Sequence, residues 1–411
     1  MSSSIRRLSM YIKREIESTI DAMLKQGKVV LVTGARQVGK TTVLKQHLGE
    51  SFNYVSMDNP REYLLAKQDS VLFFESKDLP LIIDEIQHAP ELFSPIKWIV
   101  DQSDEKGRIV LSGSQTYHLM KGVSESLAGR VRILEMPALS LRELTGTVDG
   151  PRPYVPSAIK APKSDPGIDV WSVIHRGFMP ELQDDTVEWD SFYTDYVSSY
   201  LERDVRDLVN VKDEAKFYSF MVACAARSGQ LFNATDIGNT VGVDHKTVKA
   251  WLSVLQASNI VRVIEPFWTN VDKRLTKMPK LFFMDTGLVC HLTRWTTPEQ
   301  LRNGAVAGHV FETFVVSEVL KSYMNAGRSL RDVWFYRDSK RHEIDLVVQD
   351  GHTLHPVEVK TSATVGGDAI KNFAYLEGLS GYEVGFGHVI CQTREAYVMA
   401  KDVQAVPVWE I

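Results

Sequence analysis

Residues 31 to 42 read LVTGARQVGKTT, which places glycines, a lysine and threonines at a spacing that can hold phosphate groups. An apolar run precedes the stretch, and a segment expected to be helical follows it. Glycines let backbone N–H groups approach phosphate oxygens, Lys40 can reach the β and γ phosphates, and the Thr41 hydroxyl can bind Mg²⁺. We therefore predict a site for ATP and Mg²⁺. The predicted nucleotide-binding residues are Gly34, Ala35, Arg36, Gln37, Val38, Gly39, Lys40, Thr41 and Thr42.

A pair of carboxylates ends the apolar stretch LPLIIDEIQ, residues 79 to 87. At the end of a strand, Asp84 can hold the Mg²⁺ shell, and Glu85 can orient and deprotonate a water for attack on the γ phosphate. An acidic pair after a strand is commonly a solvated turn. Because this pair follows a phosphate loop, a helix and a further strand, we predict the catalytic role instead.

Two more residues are catalytic candidates with open alternatives. Ser114 follows the next strand, in LSGSQ, and can sense the γ phosphate or the attacking water; we favour it over Ser112, and a helix N-cap is the other interpretation. Arg130, in SLAGRVRIL, can reach the nucleotide of a neighbouring subunit as an arginine finger. A surface salt bridge is the alternative for Arg130.

A second group of carboxylates lies near the carboxyl end, in HEIDLVV (342 to 348) and HPVEVKTS (355 to 362). Side chains alternate between the faces of a strand, so two neighbouring strands would present Asp345, Glu358 and Lys360 together. Carboxylate oxygens suit Mg²⁺, and a lysine can orient a nucleophile or neutralise developing charge. We predict a second metal site at Asp345 and Glu358. The spacing of Asp345, Glu358 and Lys360 resembles the PD-(D/E)XK nuclease pattern, and this resemblance implies Glu312 as a further acid. Short patterns of this kind also arise by chance in half-exposed strands.

A basic segment with aromatics, RVIEPFWTNVDKRLTKMPK, covers residues 262 to 280. Such a segment can run along the phosphates of DNA, and the helix that begins near residue 245 can contact base edges. The alternatives are a solvated charged face or a surface that docks another protein. The predicted DNA-binding residues are His245, Lys246, Lys249, Lys273, Arg274, Lys277 and Lys280.

The elements that position these residues follow from the pattern of apolar runs. Short apolar strands alternate with helical stretches up to about residue 145, which predicts a doubly wound parallel α/β sheet. The next 22 residues contain five prolines and three glycines, and we expect a linker or exposed insertion without regular structure. Three helices and a two-stranded hairpin then predict a winged helix. The predicted domains are 1–145 (core), 146–167 (linker), 168–212 (helical lid), 213–299 (winged helix) and 300–411 (C-terminal α/β domain).

Composition limits the class of protein. The chain has 411 residues, 44% of them hydrophobic and 24% charged, with a net charge of −5 that argues against a globally basic surface for nucleic acid. No apolar run is long enough for a membrane span and residues 1 to 10 lack an apolar signal core, so we expect a cytoplasmic protein without a membrane partner. The three cysteines are far apart and indicate neither disulfides nor a zinc site.

GARQVGKTT, IIDEIQHAPEL, LSGSQ, SLAGRV and ALSLREL together resemble the AAA-type core of a widespread group of bacterial and archaeal ATPases. GFMPELQ, YLERDVRDL and FFMDTGL fit the same group, so the resemblance covers nearly the whole chain. It implies a helical and winged-helix region after the core, then a restriction-endonuclease-like domain of the PD-(D/E)XK type. The proline-rich segment is longer than the usual connector of the group.

The resemblance implies an ATP-hydrolysing protein that acts on or with DNA and forms a homo-oligomer. Two alternatives stay open at this point. One is an ATP-dependent signalling switch that recruits a protein partner and carries an inert nuclease-like domain. The other is an ATP-gated, Mg²⁺-dependent nuclease.

Overall fold

The computed structural model describes residues 11–114, 122–123, 125–205, 213–268 and 277–411. Its first sheet is parallel, with five strands in the spatial order β2-β3-β4-β1-β5. The chain order alternates strands with helices, as predicted from the apolar runs. The strands are Val29–Thr33 (β1), Asn53–Ser56 (β2), Leu81–Asp84 (β3), Ile109–Ser112 (β4) and Val131–Glu135 (β5). The helices are Glu17–Gln26 (α1), Lys40–Leu48 (α2), Pro60–Gln68 (α3), Ser70–Glu75 (α4), Phe93–Asp101 (α5) and Leu141–Leu144 (α6).

Strands β1, β3 and β4 are buried at every position, because helices cover both faces of a parallel sheet. All five strands point the same way, so the ends of β1, β3 and β4 meet at one edge. That edge carries the glycine-rich loop, Asp84 and Ser112, and in a sheet of this kind it is where ligands bind.

The proline-rich segment 146–167 has no helix or strand, as predicted, but it is not a loose insertion. Tyr154 is buried, and its hydroxyl lies 2.6 Å from Nδ1 of His388. The backbone N–H of Ile159 donates to Gln404, and that of Lys163 donates to Glu410. These contacts fix the segment along the last strands of the chain.

Two helices, Val170–Arg176 (α7) and Trp189–Tyr200 (α8), lead into a unit of three helices and three short strands, which we call the three-helix unit. Asp213, Asn233 and Asp244 each accept backbone N–H bonds at the start of one of its helices, which explains where the helices begin. The elements are Glu214–Ala225 (α9), Gln230–Leu231 (β6), Ala234–Val241 (α10), His245–Ala257 (α11), Val261–Ile264 (β7) and Lys280–Phe283 (β8), with strand order β6-β8-β7.

The C-terminal domain contains the long helix Ala307–Asn325 (α14) and, among the described residues, a sheet of seven strands. Its main path runs β14-β15-β13-β11-β10-β9, and β12 pairs with β11. Two shorter helices, Thr286–Leu292 (α12) and Pro298–Asn303 (α13), precede α14. The strands are Val333–Arg337 (β9), Glu343–Asp350 (β10), Thr353–Val359 (β11), Glu383–Val384 (β12), Gly387–Cys391 (β13), Tyr397–Ala400 (β14) and Val403–Pro407 (β15).

Backbone pairing joins the three-helix unit to this sheet. After β7 the chain continues along β9, where the N–H of Phe267 donates to the carbonyl of Phe335 at 2.6 Å. Phe267 is buried and packs edge-on against Trp334 and Tyr382 of the C-terminal domain. The two units therefore share an apolar core. Cys224, Cys290 and Cys391 are buried free thiols, and none of the described helices is long and apolar enough to cross a membrane.

Candidate functional site

The glycine-rich loop joins β1 to α2 in the form that the sequence predicts. Gly34 has a φ of +152°, and a Cβ there would lie 2.3 Å from the carbonyl oxygen of Met136, so only glycine fits. Gly39 is left-handed and begins helix α2. The side chain of Lys40 is buried, and its ammonium donates to the carbonyls of Gly34 and Ala35 at 3.0 and 2.8 Å. The lysine thus lies across the loop, at the point where phosphate oxygens would replace those carbonyls.

Asp84, at the end of β3, is the centre of a hydrogen-bond cluster. It is 2% exposed and accepts from the hydroxyls of Thr41 and Tyr54, each at 2.7 Å. The hydroxyl of Ser112 and the N–H of Glu85 also donate to it. The Thr41–Asp84 pair is the arrangement in which a P-loop hydroxyl and a strand-end carboxylate share a Mg²⁺ ion, so these residues fit the predicted metal.

Glu85 follows in the left-handed conformation, with φ 55° and ψ 43°. A residue of this size rarely adopts that conformation, and such strain concentrates at functional sites. The turn directs Glu85 to a cavity over the loop, and Gln87 donates a hydrogen bond to its carboxylate. Its position suits a base that activates water beside the γ phosphate.

A cavity of about 450 Å³ lies over the loop. Two of its lining residues, Pro180 and Glu181, come from the GFMPELQ stretch, for which the sequence analysis predicted no role in the site. The stretch is held by Asp285, whose carboxylate accepts from the N–H of Phe178 at 2.7 Å. The residues around the cavity are Gln37, Gly39, Lys40, Thr41, Thr42, Glu85, Pro180 and Glu181.

Arg14 is a second residue that sequence reasoning missed. It is 3% exposed and donates to the carbonyl of Val38 in the loop at 2.9 Å and to that of Pro137 at 2.8 Å. Its Nε lies 3.0 Å from a carboxylate oxygen of Glu143. Arg14 therefore ties the loop to the segment after β5. An isolated arginine near the amino terminus carries no local signal of this role.

The two other catalytic candidates, Ser114 and Arg130, are placed differently from Asp84 and Glu85. The hydroxyl next to Asp84 belongs to Ser112, whereas Ser114 lies two residues beyond β4 and makes no hydrogen bond with Asp84 in the described part of the chain. Arg130 forms a two-pronged ion pair with Asp101, at 2.6 and 2.8 Å. The surface salt bridge is therefore present. Arg130 lies at the amino ends of the strands, opposite the loop, and its role as an arginine finger stays a prediction.

The C-terminal carboxylates come together as the alternation of β10 and β11 predicts. We call Glu312, Glu343, Asp345 and Glu358 the acidic cluster. Asp345 accepts the N–H of Val359 at 2.9 Å, and Glu358 accepts from the ammonium of Lys360 at 2.6 Å. Lys280 enters from β8, with its ammonium 2.8 Å from Glu312, 2.6 Å from Glu343 and 3.9 Å from Asp345.

Burial raises the pKa of two carboxyls in the acidic cluster. Burial, followed by the charge of Asp345, raises the pKa of Glu312 to about 8 and that of Glu358 to about 7. Burial also acts to raise the pKa of Glu343, but Lys280 and Arg337 outweigh it and hold that pKa below its usual value. Glu312 and Glu358 therefore hold their protons to a higher pH than an exposed glutamate does.

The predicted second metal site fits in part. The Oε2 atom of Glu358 is buried without a hydrogen-bond partner, which leaves a ligand position open beside Asp345. Glu312, the third predicted ligand, is instead bound to Lys280. Across the described residues, no group of three or more His, Cys, Asp or Glu side chains is arranged to hold a metal ion. Asp345 and Glu358 could supply two ligands, and Glu312 as a ligand is not supported.

Lys280 requires a correction. The sequence predicted an exposed contact to DNA phosphates, but its side chain is only 3% exposed and lies inside the acidic cluster. The reason is the pairing of β8 within the three-helix unit, which turns this face toward α14. His245, Lys246, Lys249 and Lys277 are exposed. Lys273 and Arg274 lie outside the described residues.

Three family models match parts of the chain. Residues 26–145 match the model described as an AAA domain. Residues 168–299 and 307–411 match two models that are each described as a domain of unknown function, DUF8612 and DUF4143. Together with the loop and the parallel five-stranded sheet, the first match shows that the amino-terminal part is a P-loop domain of the AAA ATPase type.

Two mycobacterial proteins are similar to this chain in sequence. An uncharacterized protein of Mycobacterium tuberculosis and one of Mycobacterium bovis are each 27% identical over 368 residues, 89% of this chain and 78% of theirs. Among solved structures, a Walker-type ATPase of Pyrococcus abyssi is 15% identical, covering 70% of this chain and 97% of that one, with a TM-score of 0.39. The RuvB Holliday junction branch migration motor of Thermotoga maritima is 16% identical, covering 61% and 89%, with a TM-score of 0.29.

Proposed function

We propose that this P-loop protein binds and hydrolyses ATP with Mg²⁺ and acts on or with DNA through a winged helix and a nuclease-like domain. The observation that carries the ATPase proposal is the cluster around Asp84. Thr41 and Ser112 bind its carboxylate, and Lys40 and Glu85 line the same cavity. These are the groups that phosphoryl transfer to water requires: a metal ligand pair, a phosphate-binding cation and a base.

The order of elements supports a winged helix in the three-helix unit. Helix, short strand, two helices and a hairpin follow one another, with the three strands antiparallel. Helix α11 would be the recognition helix, and its exposed residues His245, Lys246 and Lys249 would contact DNA. Lys277, beside the ring of Trp268 at 5.3 Å, would bind phosphate.

The C-terminal domain has the order of elements that a nuclease-like fold needs. Helix α14 is followed by three antiparallel strands, then by a helical segment at Gly367–Leu376 and by β13, which runs parallel to β11. Asp345 and Glu358 would hold Mg²⁺ on adjacent strands, with Lys360 next to them. A cation there would polarise a phosphodiester and lower the pKa of a bound water.

ATP hydrolysis with and without DNA tests the proposal. Purified protein is assayed for phosphate release with Mg²⁺ alone, with duplex DNA and with a branched junction, and Lys40→Ala serves as the inactive control. We expect hydrolysis that DNA stimulates and that falls as salt rises, because phosphate contacts weaken with salt. Absence of ATP hydrolysis under all conditions would refute the ATPase proposal, and hydrolysis indifferent to DNA would refute the DNA part.

A second candidate function is a signalling switch that uses ATP to change conformation and recruits a protein partner. The burial of Lys280 in the acidic cluster favours it, since a cation of the protein fills part of the candidate metal site. A stable protein partner together with hydrolysis indifferent to DNA would support this candidate over the first.

A third candidate is a nuclease gated by ATP, favoured by the unpartnered oxygen of Glu358 beside Asp345. Mg²⁺-dependent nicking that disappears in Asp345→Ala would establish cleavage at this site, and nicking that responds to ATP in the wild type but not in Lys40→Ala would establish the gating. No cleavage of any DNA or RNA substrate would remove this candidate.

A homo-oligomer is part of the proposal, because AAA-type ATPases act through contacts between subunits. Light scattering of Glu85→Gln with ATP and Mg²⁺ tests it. We expect a larger assembly with ATP than without it. A monomer under both conditions would contradict the expectation.

A further inference from the structure

Tyr54 brings a hydroxyl to the carboxylate of Asp84 from the neighbouring strand. The register of β2 and β3 pairs Tyr54 with Ile82 and Ser56 with Asp84, so the tyrosine ring lies on the same face of the sheet as Asp84. The hydroxyl donates to Oδ2 of Asp84 at 2.7 Å. The phosphate loop, the metal ligands and the base proposed for ATP hydrolysis do not include this hydroxyl.

Packing and a cation restrict the position of the Tyr54 ring. The ring is partly buried and packs against the apolar core that includes Val43 and Leu44 of α2. The ammonium of Lys45, on the same helix, lies 4.0 Å from the centroid of the ring. A cation over an aromatic face is attracted by the negative face of the ring, which favours this position. Tyr54 therefore connects α2, which begins in the phosphate loop, to the carboxylate at the end of β3.

The donors around Asp84 are divided between its two oxygens. Oδ1 accepts from the hydroxyl of Ser112 and the N–H of Glu85, and Oδ2 accepts from the hydroxyls of Thr41 and Tyr54. A carboxylate has about four lone-pair sites, so this set of donors fixes its rotation. Thr41 donates its proton to Asp84, which leaves the lone pairs of the same hydroxyl for Mg²⁺. The orientation of the Thr41 hydroxyl thus depends on how Asp84 is held.

We propose that Tyr54 is a positioning residue of the nucleotide site: its hydroxyl fixes the Asp84 carboxylate so that Oδ2 holds the Thr41 hydroxyl in the orientation that binds Mg²⁺. Without the Tyr54 hydroxyl, Oδ2 accepts a water in its place, and the carboxylate is able to turn away from Thr41. Tyr54 acts through Asp84 and Thr41 and does not itself need to contact the nucleotide. The inference rests on the proposed ATP and Mg²⁺ site and does not depend on DNA.

The test measures how much Mg²⁺ strengthens nucleotide binding, which we call the Mg²⁺ gain. A non-hydrolysable ATP analogue is titrated by calorimetry with Mg²⁺ and with EDTA, and the gain is the ratio of the two dissociation constants. Tyr54→Phe keeps the ring and removes the hydroxyl. Tyr63→Phe is the matched control, because Tyr63 has Lys67 at its hydroxyl and over its ring but lies on α3.

We expect the Mg²⁺ gain to fall about tenfold or more in Tyr54→Phe, the factor that corresponds to one hydrogen bond to a charged group. The gain should be unchanged in Tyr63→Phe. Affinity with EDTA should be the same in all three proteins, because the loop amides and Lys40 bind the phosphates without the metal.

The comparison with EDTA separates positioning from a purely structural role. A hydroxyl that only stabilises the fold would lower the Tm and weaken binding equally with Mg²⁺ and with EDTA, and that result would overturn the proposal. A Mg²⁺ gain in Tyr54→Phe equal to or larger than that of the wild type would also overturn it. A wild type that does not bind the analogue, or that shows no Mg²⁺ gain, would instead refute the proposed ATP and Mg²⁺ site and this inference with it. The wild-type titrations alone therefore distinguish the two failures.

Discussion

At the scale of single residues, the two carboxylates at the end of β3, Asp84 and Glu85, have different environments. Asp84 is buried and accepts from four donors, which suits a fixed metal ligand, whereas Glu85 is partly exposed and faces the cavity. The left-handed backbone at Glu85 separates the two side chains. These sequence neighbours therefore have different surroundings: Asp84 lies in the hydrogen-bond cluster and Glu85 lines the cavity.

Substitutions at Lys40 and Glu85 should separate ATP binding from turnover. Lys40→Ala should lose most of its ATP affinity, because no other described side chain replaces the ammonium over the loop. Glu85→Gln should keep ATP affinity and lose hydrolysis by roughly 10²- to 10⁴-fold, the usual contribution of a general base. Calorimetry and phosphate release measure the two effects. Equal hydrolysis in Glu85→Gln and the wild type would refute the role of Glu85 as base.

The raised pKa values of Glu312 and Glu358 predict a pH dependence of stability. The folded protein holds these protons to higher pH than the unfolded chain, so their contribution is complete below the ordinary pKa of a glutamate and is lost as pH rises through about 7 and 8. Without divalent cations, the Tm should therefore fall between about pH 5 and pH 8. Glu358→Gln should make this decline smaller. The pH-dependent part of the free energy of unfolding should fall by about 1.4 kcal/mol for each unit by which the pKa of Glu358 is raised. Calorimetric scans across pH measure both; an unchanged slope in Glu358→Gln would contradict the assignment.

At the scale of elements, one carboxylate joins the nucleotide cavity to the three-helix unit. Asp285 follows β8, caps α12 through the N–H of Leu288, and accepts from Phe178 and from the hydroxyl of Tyr193. A side chain at Gly177 would meet the Tyr193 hydroxyl at 2.2 Å, so the glycine is required for this approach. The loop that carries Pro180 to the cavity is therefore positioned by an element far along the chain.

Removal of Asp285 should weaken both folding and ATP binding. Asp285→Ala leaves buried donors unpaired and should lower the free energy of unfolding by more than about 3 kcal/mol. Tyr193→Phe removes one hydrogen bond to a charged group and should lower the free energy of unfolding by about 1.5 to 3 kcal/mol. ATP affinity should fall with the stability in Asp285→Ala, because Pro180 and Glu181 lose their support. Urea unfolding and ATP titration measure the two quantities. A stable Asp285→Ala with wild-type ATP affinity would disprove the positioning role.

At the scale of the whole molecule, a buried polar network connects the ATPase domain to α14. The ammonium of Lys321 is completely buried and binds Glu318 at 2.7 Å and the carbonyl of Leu139 at 2.9 Å. Glu318 in turn accepts the N–H of Leu141, in the ALSLREL segment, at 2.6 Å. The same segment contains Glu143, the partner of Arg14 below the phosphate loop. The nucleotide site and the C-terminal domain are thus held by one set of paired charges.

This network predicts that the domains unfold together. Glu318→Ala leaves the Lys321 charge buried without its carboxylate and should lower the free energy of unfolding by roughly 3 to 5 kcal/mol, the typical loss when one partner of a buried ion pair is removed. Glu299→Ala, at an exposed residue of α13, is the control and should change the free energy of unfolding by less than about 0.5 kcal/mol. Scanning calorimetry should record one transition for the wild type. Separate transitions for the ATPase and C-terminal domains would contradict the coupling.

The sequence by itself predicted the features that depend only on residues close together along the chain. The spacing from Gly34 to Thr41 predicts the phosphate loop, the apolar run before Asp84 predicts a strand-end carboxylate, and alternation in β10 and β11 predicts that Asp345 and Glu358 share a face. Each of these follows from a local rule about backbone geometry or side-chain direction. The structure places each of these residues as the local rule expects.

Only the tertiary structure decided which distant residues complete each site. Lys280 lies at the end of a basic run, so the sequence predicts an exposed cation. The pairing of residues 265–267 with β9 and of β8 with β7 instead buries it among acids of another domain. Arg14 and Pro180 reach the phosphate loop through equally long-range contacts. The physical reason is that the environment of a charge depends on what packs around it in space, and such packing leaves no trace in the residues on either side of it.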